Sequence, residues 1–197
     1  KSFSPVNRIL LGPGPSNVNP KVLEALSRAT IGHLDPQFIE FMDEIKSLLK
    51  YTFKTENDAT FVLSGPGSLG MEACLVNLIE PGNKVVVCTG GYFANRMIQI
   101  VEKIGGKPVL VKETWGRAID PQKLEDTLSK NPDTKIVAFV HAETSTGALS
   151  NIKELSEIAH RHNCLVVADV VTSLGATDVM VDEWNLDAVY SCSQKGL

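Results

Sequence analysis

The sequence predicts an α/β fold: an open, mainly parallel sheet with helices on both faces, a three-layer α/β/α arrangement. Three observations carry this expectation. From about residue 60 onward, short β-branched runs alternate with helical stretches, and such alternation implies crossover connections and parallel pairing. The runs are continuously apolar, as in Val85-Val86-Val87-Cys88, which suits strands covered on both sides. The helical stretches between them open on caps and close on breakers.

The elements follow in order. Phe3–Pro20 is rich in Pro, Gly, Ser and Asn and contains Gly12-Pro13-Gly14-Pro15. Residues 1–20 therefore read as an extended arm with turns. Helical patterns cover Lys21–Ala29 and Asp35–Phe53; in the second, Phe38, Phe41, Ile45, Leu48 and Leu49 form one apolar stripe. That stripe is expected to pack on the sheet or on a neighbouring subunit. Strands are predicted at Phe61–Leu63, Lys84–Cys88, Pro108–Lys112, Lys135–Val140, Cys164–Ala168 and Asp187–Tyr190. Asp120-Pro121 opens a helix with Leu124 and Leu128 as its apolar repeats, closed by Lys130-Asn131-Pro132. Asn151 caps another, in which Ile152, Leu155, Ile158 and Ala159 fall at helical spacing. The sequence stops at Lys195-Gly196-Leu197, just after the sixth strand and without a closing helix. It is expected to be part of a longer polypeptide, with residues 21–197 an incomplete large domain.

Composition narrows the function. The 197 residues are 43% hydrophobic, 21% charged and 6% aromatic, with a formal net charge of −4. A mildly acidic chain without basic blocks lacks the cationic face of a nucleic-acid binder. No apolar run approaches the ~18 residues of a membrane span. A soluble intracellular protein is expected, with cytoplasm, peroxisome and mitochondrion left open. The four cysteines, Cys74, Cys88, Cys164 and Cys192, form no CxxC and read as small core residues of a reducing compartment. The histidines show no metal spacing, since His160 and His162 fall on different faces of a helix.

Three local features carry chemistry. In Phe61–Ala73 a strand signal runs into Ser64-Gly65-Pro66-Gly67-Ser68-Leu69-Gly70 and then an apolar helix. Glycines let a backbone approach a phosphate, and a helix start offers unpaired N–H groups and a positive dipole end. The same glycines satisfy GxGxxG, so a dinucleotide site is a rival. Pro66 removes one donor, and no acidic residue follows the next strand to hold a ribose. The second feature is Asp169, which ends the apolar run Cys164–Ala168. A carboxylate there needs a partner, because desolvation is costly; a protonated pyridine ring is one, and a helix cap or turn is the alternative. The third is Ser193-Gln194-Lys195-Gly196, beyond the last strand, where a lysine can reach the same sheet edge and act as a Schiff-base nucleophile or be plain solvated surface. A phosphate cradle, a carboxylate and a lysine together are the handles of pyridoxal 5′-phosphate (PLP).

With Leu11–Ser16, Ser64–Ala73, His141–Gly147 and Ser193–Lys195 in this order, the chain resembles the N-terminal half of class V, fold-type I aminotransferases of the alanine/serine–glyoxylate group. The likeness covers essentially the whole chain. It implies a PLP-dependent transferase large domain and a ping-pong transaminase using L-alanine or L-serine and glyoxylate. Lys195 would carry the cofactor as a Schiff base and move the proton between substrate and cofactor, and Asp169 would keep the pyridine nitrogen protonated. Gly67 and Ser68 would bind the phosphate, with Gln194 nearby. Phe93 would stack on one ring face, in preference to Tyr92, and Val171 would pack on the other; either could equally be a core residue. Thr144 would contact the ring. Ser16 and Asn17 would lie near the substrate carboxylate, or serve only as turn residues. A homodimer is implied, with the arm crossing to the partner. The small domain and the arginine that clamps the substrate carboxylate would lie beyond residue 197. A cysteine desulfurase-like enzyme and a non-catalytic binding or dimerisation fragment are the remaining alternatives.

Overall fold

The continuously apolar runs assemble into one sheet. The structure, a computed structural model, describes residues 2–197. Its elements are α1 (Pro20–Leu26), α2 (Pro36–Phe53), α3 (Gly67–Leu78), β1 (Lys84–Thr89), α4 (Tyr92–Lys103), β2 (Lys107–Lys112), α5 (Pro121–Ser129), β3 (Thr134–Val140), β4 (Ala142–Glu143), β5 (Ala148–Leu149), α6 (Ile152–Arg161), β6 (Leu165–Asp169) and β7 (Ala188–Tyr190). Five strands pair in the order β2-β1-β3-β6-β7, and every pairing is parallel. β4 and β5 form a separate two-stranded antiparallel ladder.

Side chains alternate across the sheet, so the two faces hold different cores. Val86, Cys88, Val137, Phe139, Val166 and Ala168 pack with α5 and α6. Val85, Val87, Ile136, Ala138, Val140 and Val167 pack with α3 and α4. Helices thus cover both faces, as predicted. After β1 the chain leaves to β2 and then returns to β3 on the other side of β1. The crevice at the C-terminal ends of β1 and β3 is therefore the topological switch point, where open α/β sheets bind ligands.

Local signals explain most boundaries. Asp35 and Asp120 accept the N–H groups of Gln37 and Gln122, each followed by proline in the first turn. Asn151 accepts from Glu154 at the start of α6. α1 ends earlier than expected, at Leu26, because the Ser27 backbone and hydroxyl both fold back onto Glu24 O.

One expectation changes and another is narrowed to its neighbouring-subunit alternative. Phe61–Leu63 is extended but is not a strand: no other strand lies beside it, and Phe61 is 66% exposed. Its β-branched, aromatic composition marks an extended backbone, yet a strand also needs a neighbour to take its N–H and C=O groups. The α2 stripe is not covered within this chain either. No residue of α2 is buried, with Phe41 54% and Leu48 57% exposed. Its C-terminus is tied down by Val181 N–H donating to Phe53 O. No helix among the described residues is long and apolar enough to cross a membrane.

Candidate active site

β6 ends in a carboxylate because its last residue lies over the switch-side edge of the sheet. Asp169 is 4% exposed. Its Oδ1 accepts the Val171 N–H at 2.9 Å and its Oδ2 the Tyr190 hydroxyl at 2.8 Å. Tyr190 is opposite Asp169 in the β6–β7 register and is itself buried. Burial pushes the Asp169 carboxyl up to about 6; the two donors pull it down without cancelling the desolvation, and Glu143 raises it further. No cation forms an ion pair with Asp169 among the described residues. A buried acid held by two donors and lacking a counter-charge fits a cationic ring nitrogen brought by a ligand.

The loop after β7 brings Lys195 to the same edge. Ser191 donates to Val170 O, and Cys192 lies against the start of α3: a Cβ added to Gly67 would sit 3.1 Å from Cys192 Sγ and from Val171 Cγ2. The glycine at 67 thus lets α3 begin in contact with both the lysine loop and Val171, two residues after Asp169. Pro66 caps α3 without a side-chain hydrogen bond, which leaves the first turn open to an anion. Ser68, one residue further, accepts from Arg96 Nη1 at 2.6 Å.

The arm closes this region from outside. Ser16 N donates to Gln194 O at 3.0 Å and Ser16 Oγ contacts the same oxygen at 3.4 Å. Gly14, at φ +130°, packs on Lys195 so tightly that any Cβ would overlap the lysine's Cδ, Cε and Nζ. Both the positive φ and the close approach demand glycine. Gly14→Ala is expected to displace the lysine side chain and slow PLP attachment about tenfold or more in stopped-flow absorbance, with some loss of stability from the positive φ; an unaltered attachment rate would show that the arm does not set the lysine's position.

Thr144 follows β4 and its hydroxyl hydrogen-bonds Thr172, in the segment after Asp169. Phe93, in the first turn of α4, is half-buried against the α3/α4 core. Tyr92 is more exposed and meets Phe93 edge-on at 5.3 Å. The structure therefore gathers Gly67, Ser68, Phe93, Thr144, Asp169, Val171, Gln194 and Lys195 around the strand ends, with Ser16 joined through Gln194. Asn17 is placed differently: its amide accepts from Leu10 N and donates to Arg8 O, bracing the arm itself.

Several residues here were not read from the sequence. Arg96 reaches Ser68 and lies 6.0 Å over the Phe93 ring. His141 is buried, bonded through Nδ1 to Ser173 Oγ at 2.9 Å and edge-on to Trp184. Burial lowers its pKa to about 4, so at neutral pH it supports the site as an uncharged ring. Tyr190, Gly14 and Glu143 complete the set. Only His141 and Glu143 carried a signal, standing where a buried strand ends.

A parallel sheet of this order with an acid, a lysine and a glycine-opened helix at its C-terminal edge defines a PLP-dependent transferase fold. The aminotransferase class-V family profile matches residues 9–197, and the chain belongs to that family, whose members use PLP. It is 38% identical to the alanine–glyoxylate aminotransferase of Drosophila melanogaster over 192 residues, 97% of this chain and 48% of the relative. Among solved structures, the alanine–glyoxylate aminotransferase of Nostoc sp. superposes with a TM-score of 0.94 at 41% identity, covering 100% of this chain and 52% of that one. The ureidoglycine–glyoxylate aminotransferase of Bacillus subtilis gives 0.95 at 32% identity, covering 98% and 50%. The chain spans about half the length of the curated relatives it matches.

Proposed function

We propose that the full-length protein transfers the amino group of L-alanine, or L-serine, to glyoxylate. The observation that carries the PLP reading is the buried, cation-free Asp169 on the strand edge that also presents Lys195. Glyoxylate recurs in the names of the alanine- and ureidoglycine-dependent relatives, which supports the acceptor. PLP supplies an electrophilic aldehyde and a ring that takes up negative charge. Lys195 would hold that aldehyde through Nζ and, once its amine is free, would move the proton at substrate Cα. Asp169 holds the proton on the ring nitrogen. Gly67 and Ser68, with Gln194 beside them, bind the phosphate; Phe93 and Val171 enclose the ring from its two faces, and Thr144 offers a hydroxyl at its edge. Ser16 lies on the substrate side, and Asn17 braces the arm that carries it.

The small domain and a carboxylate-binding arginine lie outside residues 1–197 on this reading. A second copy covers the exposed apolar residues of α1 (Val22, Leu23, Leu26) and of α2 (Phe41, Leu48, Tyr51). The full-length protein, loaded with PLP, is expected to show the visible band of lysine-bound cofactor, to lose it on adding L-alanine, and to regain it with glyoxylate. The cofactor assignment fails if no band forms. A band unaffected by alanine but bleached by cysteine, with sulfide released, would replace transamination by desulfuration.

A further inference from the structure

Glu143 is 6% exposed and has no cation within ion-pair distance among the described residues. Its oxygens point instead at the start of another element. Oε1 accepts the Phe93 N–H at 3.3 Å, and Oε2 the Ala94 N–H at 3.3 Å. Oε1 also accepts the Ser145 hydroxyl at 2.8 Å, and that hydroxyl accepts the Tyr92 N–H at 3.0 Å. The first three amides of α4 are thus all taken by Glu143 or by the serine it holds. α4 needs this, because its own N-cap is Gly91, which has no side chain to offer. The glycine is also required: a Cβ at 91 would overlap Glu143 Cγ and Cδ and crowd Ser145 Oγ.

The cap therefore comes from β4, across the switch crevice between β1 and β3. A full negative charge at a helix N-terminus is favourable, and here it fills the place an anion would take. Of the two helices on this face of the sheet, α4 is closed by protein and α3 has no side-chain cap. Phe93 sits on the clamped turn.

We propose that Glu143 is a positioning residue for the cofactor: by capping α4 from β4 it fixes the Phe93 ring where that ring lies over PLP. This rests on the PLP reading of the site. Glutamine in its place keeps the volume but loses the charge and one acceptor, so the Ala94 amide faces an N–H₂ group.

The test uses the full-length protein carrying Glu143→Gln, Phe93→Leu, both together, and Gly91→Ala as a second means of expelling the carboxylate. In the cofactor-free protein, amide hydrogen exchange over Tyr92–Ala94 is expected to speed up about tenfold or more in Glu143→Gln, with β3 and β6 unchanged. In PLP titrations Glu143→Gln and Phe93→Leu should each weaken binding about tenfold and reduce the visible circular dichroism of the bound cofactor. The double variant should add less than about twofold to either alone, because both act through one ring. Unchanged exchange in Glu143→Gln, or effects on PLP binding that multiply in the double variant, would overturn the proposal. A wild-type protein that binds no PLP overturns the reading of the site instead, and the exchange result then still decides whether Glu143 clamps α4.

Discussion

Lys195→Ala in the full-length protein is expected to abolish the visible band of lysine-bound PLP and to cut amino transfer at least about a thousandfold. The size follows from two losses. The amine that forms the covalent bond to the cofactor is gone, and so is the base positioned to move the Cα proton, a step worth about 10²–10⁴ by itself. Binding of PLP should persist more weakly, since the donors around Asp169 and the open start of α3 do not involve the lysine. Absorbance and single-turnover rates with L-alanine check both parts. A variant that still forms the band would mean that another amine holds the cofactor.

Asp169→Asn should move two quantities in opposite directions. In the cofactor-free protein the carboxyl is raised from 3.8 to about 6 by burial, so between those values the folded state holds a proton the unfolded chain has already released. Stability contributed by this group is therefore lost as pH rises from about 4 to about 6, and the deficit is fully present at pH 7. It amounts to about 3 kcal/mol. The asparagine variant has no charge to desolvate and can still accept from Val171 N–H or the Tyr190 hydroxyl. It should be more stable than the cofactor-free wild type by about this amount at pH 7, and the advantage should vanish near pH 4. His141 works in the other sense, since its pKa is lowered by burial to about 4 and its contribution is lost as pH falls through 6.5 toward 4. Both proteins retain His141, so the difference between their chemical unfolding midpoints isolates Asp169. PLP binding should fall by about 10²–10³, the cost of removing one partner of a buried ion pair. Equal PLP affinity in the two proteins would sink the role of Asp169 as the ring-nitrogen partner.

Elements set by local chemistry were legible in the sequence. Asp35, Asp120 and Asn151 announce their helices because each cap is satisfied within three residues. The inner strands are apolar on both faces because helices cover both. Asp169 stood out since a charge closing such a run must be buried. Phe61–Leu63 misled, because strand character in sequence says nothing about whether a neighbour is present. The place of Glu143 at the sheet edge was legible, but its role, like that of Arg96, was hidden for a related reason. Their meaning lies in partners 49 and 28 residues away, and a glutamate in a polar turn looks like any solvated acid until Gly91 is seen beneath it. Gly14 sat in plain view inside the Gly-Pro arm, but only the fold shows that Lys195 lies on it.

The contact between Ser16 and Gln194 spans 178 positions of sequence. During synthesis the arm leaves the ribosome before Gln194 does and waits for it. At typical elongation speeds that wait lasts on the order of ten to forty seconds, while β1, β2 and β3 can already pair beside one another. The nascent chain thus carries paired strands well before its reactive amine exists, and the glycine seat for that amine is filled only after they have formed. A newly made molecule stays chemically silent until its arm and its lysine loop meet.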